Sequence, residues 1–190
     1  MMREQLIRER QLREHEIGLE YEIALAIERS EIDLLTNCRN RGAFEDFMRE
    51  RLSNTKDIHF SLVMMDIDCF KSVNDRFGHD AGDVVLKKIT ALIRSRLDKM
   101  HPFFRWGGEE FMILLPSTTL AGARQLAERL RQTIADTPVE GPEDTFNITA
   151  SLGITLFPAH DTDDLPQAMQ RADQALYIAK SSGRNCVCEL

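Results

Sequence analysis

The spacing of apolar and polar positions along this chain changes period several times, and each change marks an element. In RGAFEDFMRERL (41–52), Phe44 and Phe47 recur at helical spacing. IHFSLVMMDID (58–68) is a mostly apolar run that ends in acids, which reads as a strand. FKSVNDRFG (70–78) reads as a short helix that Gly78 stops. DAGDVVLKKITALIRSRLD (80–98) is a strongly periodic helix, with Val84, Val85, Ile89, Leu92 and Ile93 turned inward. PFFRW and EFMILLP flank Gly107-Gly108 as the arms of a hairpin. A helix follows over 119–135, then a loop, VEGPEDT (139–145), rich in turn formers and acids. FNITASLGITLFP (146–158) is a strand region broken at Gly153, 164–183 is a helix that Gly183 stops, and RNCVCEL ends the chain as an edge strand.

This alternation predicts one α/β domain over 36–190, a mixed central sheet covered by helices. Residues 1–35 differ. They are rich in Glu, Arg, Leu and Ile, with no proline and a single glycine, Gly18, and read as one long helix. Leu12, Leu19, Ile23 and Ala26 hint at a heptad seam that polar residues interrupt. A coiled-coil dimer and a single amphipathic helix packed on the domain both fit. The abrupt start is that expected of a piece of a longer chain, with this helix as the link to an upstream sensory module.

Composition narrows the class. A net charge of −7 argues against a broad nucleic-acid or anionic-membrane surface, though not against a local basic pocket for phosphate. No apolar run is long enough to span a bilayer, and MMREQLIRER is no signal peptide. Cys38, Cys69, Cys186 and Cys188 form no CxxC pair and no zinc spacing, so they read as reduced thiols of a cytoplasmic protein.

The acids carry the candidate chemistry. Strand alternation projects Asp66 and Asp68 to one side where the apolar run gives out. Asp68 alone reads as a cap for the helix that starts near Phe70; a cap does not account for both. Gly107 and Gly108 read as a two-residue turn with positive φ, with Glu109 and Glu110 directly after it and on opposite faces. Hairpin-tip acids are ordinarily solvated. If strand and hairpin are neighbours in the sheet, however, Asp66 and Glu109 converge. An all-oxygen set suits Mg²⁺ or Mn²⁺ rather than zinc, and Mg²⁺ on one or two carboxylates usually completes its shell with substrate phosphates. That combination points to a nucleoside triphosphate.

RWGGEEF (105–111) resembles the signature of the GGDEF-domain diguanylate cyclases, with Glu in place of the middle Asp. The resemblance runs over about 33–188: DLLTNCRNRGAF (33–44), DIDCFKSVNDRFGHDAGDVVL (66–86), ASLGIT (150–155) and RADQALYIAKSSGRN (171–185) are similar to further motifs of that family, in its order. It implies the palm-like fold of nucleotide cyclases and the conversion of two GTP into cyclic di-GMP and two pyrophosphates across a homodimer. It also implies that Asp66, the Ile67 carbonyl and Glu109 hold Mg²⁺ or Mn²⁺. Asn74 and Asp83 would read guanine. Lys71, Lys180, Arg184 and the N–H groups of Cys69 and Phe70 would meet the phosphates, and His79 would lie near the substrate. Glu109, Glu110 and Lys71 form the implied catalytic set.

Two stretches depart from the pattern. Many members carry an inhibitory product site, Arg-x-x-Asp; here Asp98-Lys-Met-His101 stands there, and no product inhibition through it is expected. Asn37-Cys38 replaces a more usual Gly-Leu. A catalytically silent GTP or cyclic di-GMP binding module is the main alternative, and a purely structural dimerisation domain the other.

Overall fold

The structure, a computed structural model, describes residues 31–54, 59–141, 145–158 and 164–190, with six scattered helical positions between 13 and 26. The chain forms two compact units, Met1–Glu31 and Ile32–Leu190. In the first, Leu19 and Ala26 are exposed helical positions; Leu12 and Ile23 of the heptad reading lie outside the described residues.

The second unit runs α1 (Arg41–Asn54), β1 (Phe60–Ile67), α2 (Phe70–Phe77), α3 (His79–Arg96), β2 (Phe103–Gly107), β3 (Glu110–Pro116), α4 (Leu120–Asp136), β4 (Val139–Glu140), β5 (Thr145–Phe146), β6 (Ala150–Phe157), α5 (Leu165–Ser181) and β7 (Val187–Glu189). Five strands make one mixed sheet in the order β2-β3-β1-β6-β7. β1 lies antiparallel to β3 and β6, while β6 and β7 are parallel. β4 and β5 form a separate ribbon at the two ends of the stretch read as a loop.

All eight residues of β1 are buried, as the mid-sheet position of a nearly unbroken apolar run requires. Its alternate side chains feed two cores. Val63, Met65 and Ile67 pack with Val73, Val85, Ile89, Ile93 and Leu130 of α2, α3 and α4. Phe60, Leu62 and Met64 pack with Phe44 and Met48 of α1, Phe104, and Ala172 and Leu176 of α5. Each large aliphatic side chain so buried contributes about 1.5–3 kcal/mol, enough to make this strand a rigid mount for whatever stands at its end.

Local chemistry sets the helix starts. Asp164 and Gln167 form a reciprocal capping box at α5, and the Thr119 hydroxyl accepts the Gly122 N–H at 3.2 Å. Two expectations fail. Val84 is 46% exposed, because α3 buries the face that carries Ala81, Gly82, Val85, Leu86, Ile89, Thr90 and Ile93, and Val84 lies off it. Gly153 does not break its strand: a Cβ there would come 2.2 Å from the Leu176 N and 2.3 Å from the Ala172 O. The glycine is there to let α5 lie directly on β6.

Candidate active site

β1 and β3 pair with Asp66 opposite Glu110, and the Ile67 N–H donates to the Glu109 carbonyl at 3.3 Å. The strand and the hairpin are therefore neighbours, and the acids at 66, 109 and 110 share one end of the sheet. The turn itself differs from the expectation by one residue. Gly107 closes β2 and pairs with Glu110, so the turn is Gly108-Glu109, and only Gly108 has positive φ, at 23°. Trp106 is the irregular residue in the β2–β3 ladder. Arg105 braces the turn, donating from Nε and Nη2 to the Gly108 carbonyl at 3.0 and 2.7 Å, and its Nη1 meets Asp33 Oδ1 at 2.9 Å.

Asp66 is 7% exposed and pairs with Lys180 of α5, Nζ to Oδ2 at 2.7 Å. Burial pushes its carboxyl above the ordinary aspartate value. Lys180 pulls it down, Glu109 and Glu110 push it up again, and the upward influences prevail. Two further carboxylates thus act on Asp66, with one ammonium against it, an arrangement that favours a further cation. Among the described residues no three His, Cys, Asp or Glu side chains are gathered into a cage. Mg²⁺ does not require one, since one or two carboxylates with water and phosphates complete its octahedron. Asp66, Glu109 and a strand-end carbonyl such as that of Ile67 suit a hard ion.

Beside Asp66 the chain turns sharply into α2. Cys69 is the N-cap residue with φ 55° and ψ 27°, a left-handed conformation unusual for a residue with a side chain, and its side chain makes no cap bond. Cys69 and Lys71 are exposed; Phe70 is buried and roots the helix. Gly78, with φ 85°, joins α2 to α3 and donates its N–H to the Asn74 carbonyl at 2.9 Å. Asn74 and Asp83 are half-buried and His79 is exposed. A Cβ on Gly82 would come 2.0 Å from Asn74 Oδ1. The glycine beside Asp83 therefore makes the room that the Asn74 amide occupies. Arg184 is exposed in the turn after α5.

Asp68 is not the cap that the sequence suggested. It is 5% exposed and accepts the Thr149 hydroxyl at 2.7 Å, the Ser151 hydroxyl at 2.7 Å and the Asn185 N–H at 3.0 Å. Sequence reading also passed over Thr149, Ser151, Asn185, Gly82, Arg105 and Asp33. Signals existed for some. Thr149 and Ser151 are polar at a spacing of two where a largely buried strand begins, and Gly82 interrupts a helical pattern, which usually has a packing cause. Asp98–His101 form the turn between α3 and β2, the His101 N–H donating to the Asp98 carbonyl at 3.0 Å.

Comparison with known proteins places the fold in a family. The family model for the GGDEF domain of diguanylate cyclases matches residues 30–186. Diguanylate cyclase DgcP of Pseudomonas aeruginosa is 43% identical over 155 residues, 80% of this chain and 23% of that protein. The crystal structure of the coiled coil and GGDEF domain of DgcB from Caulobacter crescentus, in complex with c-di-GMP, superposes with a TM-score of 0.79 at 26% identity, covering 96% of this chain and 97% of that one. The active GGEEF domain of a diguanylate cyclase from Vibrio cholerae gives a TM-score of 0.65 at 39% identity, covering 78% of this chain and 90% of that one. The chain spans less than half the length of the curated relatives it matches.

Proposed function

Since the chain belongs to the GGDEF-domain family of diguanylate cyclases, we propose that it condenses two GTP into cyclic di-GMP and two pyrophosphates. One observation carries the reading: Asp66, Glu109 and Glu110 share one end of the sheet, with Lys180 paired to Asp66, beside the left-handed Cys69 turn.

Asn74 and Asp83 bind guanine. An amide and a carboxylate match its acceptor and donor edge, and adenine would leave them unpaired at a large cost. Lys71, Lys180, Arg184 and the N–H groups of Cys69 and Phe70 take the phosphates, the last two because a helix start presents free donors. His79, exposed at the start of α3, would lie near the substrate. Asp66, the Ile67 carbonyl and Glu109 would hold Mg²⁺ or Mn²⁺. Such an ion, when bound, neutralises phosphate charge and lowers the pKa of the attacking hydroxyl. Lys180 rests on Asp66 here, and its ammonium, on a side chain one-third exposed, is the group that would turn to the phosphates if Asp66 held a cation.

In the reaction, the 3′-oxygen of one GTP forms a bond to the α-phosphorus of the other. The α–β phosphoanhydride bond breaks and pyrophosphate leaves with its electron pair. Glu110 or water takes the hydroxyl proton, since Glu109, as the residue that would hold the ion, would be the poorer base. Lys71 steadies the charge on the phosphates. Each domain holds one GTP, so both attacks require two domains face to face as a homodimer, with the amino-terminal helix as the device that pairs them. An upstream sensory module would set that pairing. A cytoplasmic setting supplies the GTP, and no helix among the described residues is long and apolar enough to cross a membrane.

The test is incubation with GTP and Mg²⁺ followed by chromatography for cyclic di-GMP. Product is expected, with Glu109→Ala slower by about a thousandfold, as loss of several kcal/mol of charge stabilisation implies. A dimer that binds GTP at high concentration yet yields no product would overturn the reading in favour of a silent binding module.

A further inference from the structure

Gly183, Arg184 and Asn185 have φ of 108°, 64° and 46°, three left-handed residues in succession. Glycine adopts that region freely; arginine and asparagine do so under strain, which persists only where the surroundings fix it. Three contacts do so here. The Arg184 N–H donates to the Ala179 carbonyl at 3.1 Å. Asn185 Oδ1 accepts from Arg131 Nη1 at 2.7 Å, and the Asn185 N–H donates to Asp68 Oδ2 at 3.0 Å. The last contact spans 117 positions of sequence and ties the turn to the end of β1. The Asp68 carboxylate is itself set by two hydroxyls, Ser151 on Oδ1 and Thr149 on Oδ2.

We propose that Asp68 is a positioning residue for Arg184, fixing the backbone from which that guanidinium reaches the triphosphate. Asp68 does not touch substrate. It converts the rigidity of β1 and β6 into a fixed register for the 183–185 turn, on the same strand end that carries Asp66. The inference rests on the reading that Arg184 meets phosphate.

Asp68→Asn is the sharpest probe. Its amide oxygen still accepts from Ser151, but an N–H now faces the Asn185 N–H. Binding of a GTP analogue inert at the α-phosphorus, measured by calorimetry with Mg²⁺, is expected to weaken about tenfold in Asp68→Asn and about tenfold in Arg184→Ala. In the double variant it is expected to weaken scarcely further, because both changes remove one contact. The Asn185 amide should exchange faster with solvent in Asp68→Asn. Additive losses would mean that Asp68 acts elsewhere and would overturn the inference. Full affinity in Asp68→Asn alongside weakened Arg184→Ala would overturn it while leaving the phosphate reading intact; full affinity in Arg184→Ala overturns both. Should Asp68→Asn fail to fold, Thr149→Val keeps the carboxylate and loosens it, and a loss of about threefold in the same direction is expected; unchanged binding there overturns the proposal.

Discussion

Asp66 and Asp68 stand two residues apart at the end of one strand, and both are almost fully buried, yet they face different seams. On the hairpin side, Asp66 has one ammonium against it and two glutamates nearby, and burial leaves its carboxyl harder to ionise than usual. On the β6 side, Asp68 is held by two hydroxyls and a backbone N–H. The first carboxylate has a partner on a flexible side chain that can leave; the second has partners that are parts of the frame. Buried acids at a spacing of two therefore have different surroundings here: one is ion-paired and is the proposed cation ligand, the other is hydrogen-bonded into the frame and is the proposed brace. Which is which follows from the partners that other elements present, Lys180 of α5 to the one and Ser151 of β6 to the other, not from the acids.

The largest expected effects separate the two. Asp66→Asn removes a costly buried charge while keeping the shape of the side chain. Formation of cyclic di-GMP should fall by about a thousandfold, with stability changed by less than about 1 kcal/mol or raised, because a buried charge pair often fails to repay its desolvation. Lys180, a third exposed, turns to water. Asp68→Ala should do the reverse. It strands the buried Ser151 hydroxyl and the half-buried Thr149 hydroxyl and costs about 2–3 kcal/mol in urea denaturation, while turnover at saturating GTP falls far less. An Asp66→Asn variant less stable than Asp68→Ala would break the contrast.

A smaller effect tests the far wall of the site. Gly82→Ala places a methyl where Asn74 Oδ1 now lies, 2.0 Å from the ideal Cβ. The amide must swing away, since the α3 backbone cannot. About a tenfold loss of GTP affinity is expected, with a matching loss of preference over ATP. Equal weakening of GTP and ATP, or none, would show that Asn74 does not read the base.

Much of this was legible in the sequence because it is local. The apolar run of β1, the period of α3 and the glycines at the hairpin each announce an element within a few residues. That Asp66 and Glu109 stand at one end of the same sheet was legible only conditionally, since adjacency in a sheet is not written in either strand. Asp68, Gly82 and Gly153 were misread or passed over for the same reason: each answers to a residue far away in sequence or on another element. Asp68 binds 81 to 117 positions onward, and Gly153 accommodates the backbone of α5. Val84 failed for a subtler cause. It continues an apolar pair, but the helix buries a stripe narrower than its apolar content.

The smallest expected effect lies furthest from the acids, at the support behind the hairpin. Arg105 holds the carbonyl of Gly108, the residue before Glu109, and Asp33 holds Arg105. Burial raises the Asp33 carboxyl, but hydrogen bonds from the Thr36 hydroxyl and N–H, at 2.5 and 2.9 Å, and from Arg105 outweigh it, so the group titrates below its ordinary 3.8. Unfolded chains then bind more protons than folded ones through that interval, and stability rises with pH across it. The contribution is complete above pH 3.8 and is lost as pH falls through the lower folded value. Asp33→Asn should accordingly cost about 1 kcal/mol at pH 7, a gap that closes in acid, and should slow turnover a few-fold by loosening the turn beneath Glu109. A stability gap that stayed constant into acid would mean that Asp33 serves by shape alone, and that the hairpin turn is as self-sufficient as the hydroxyl-held brace on the other seam.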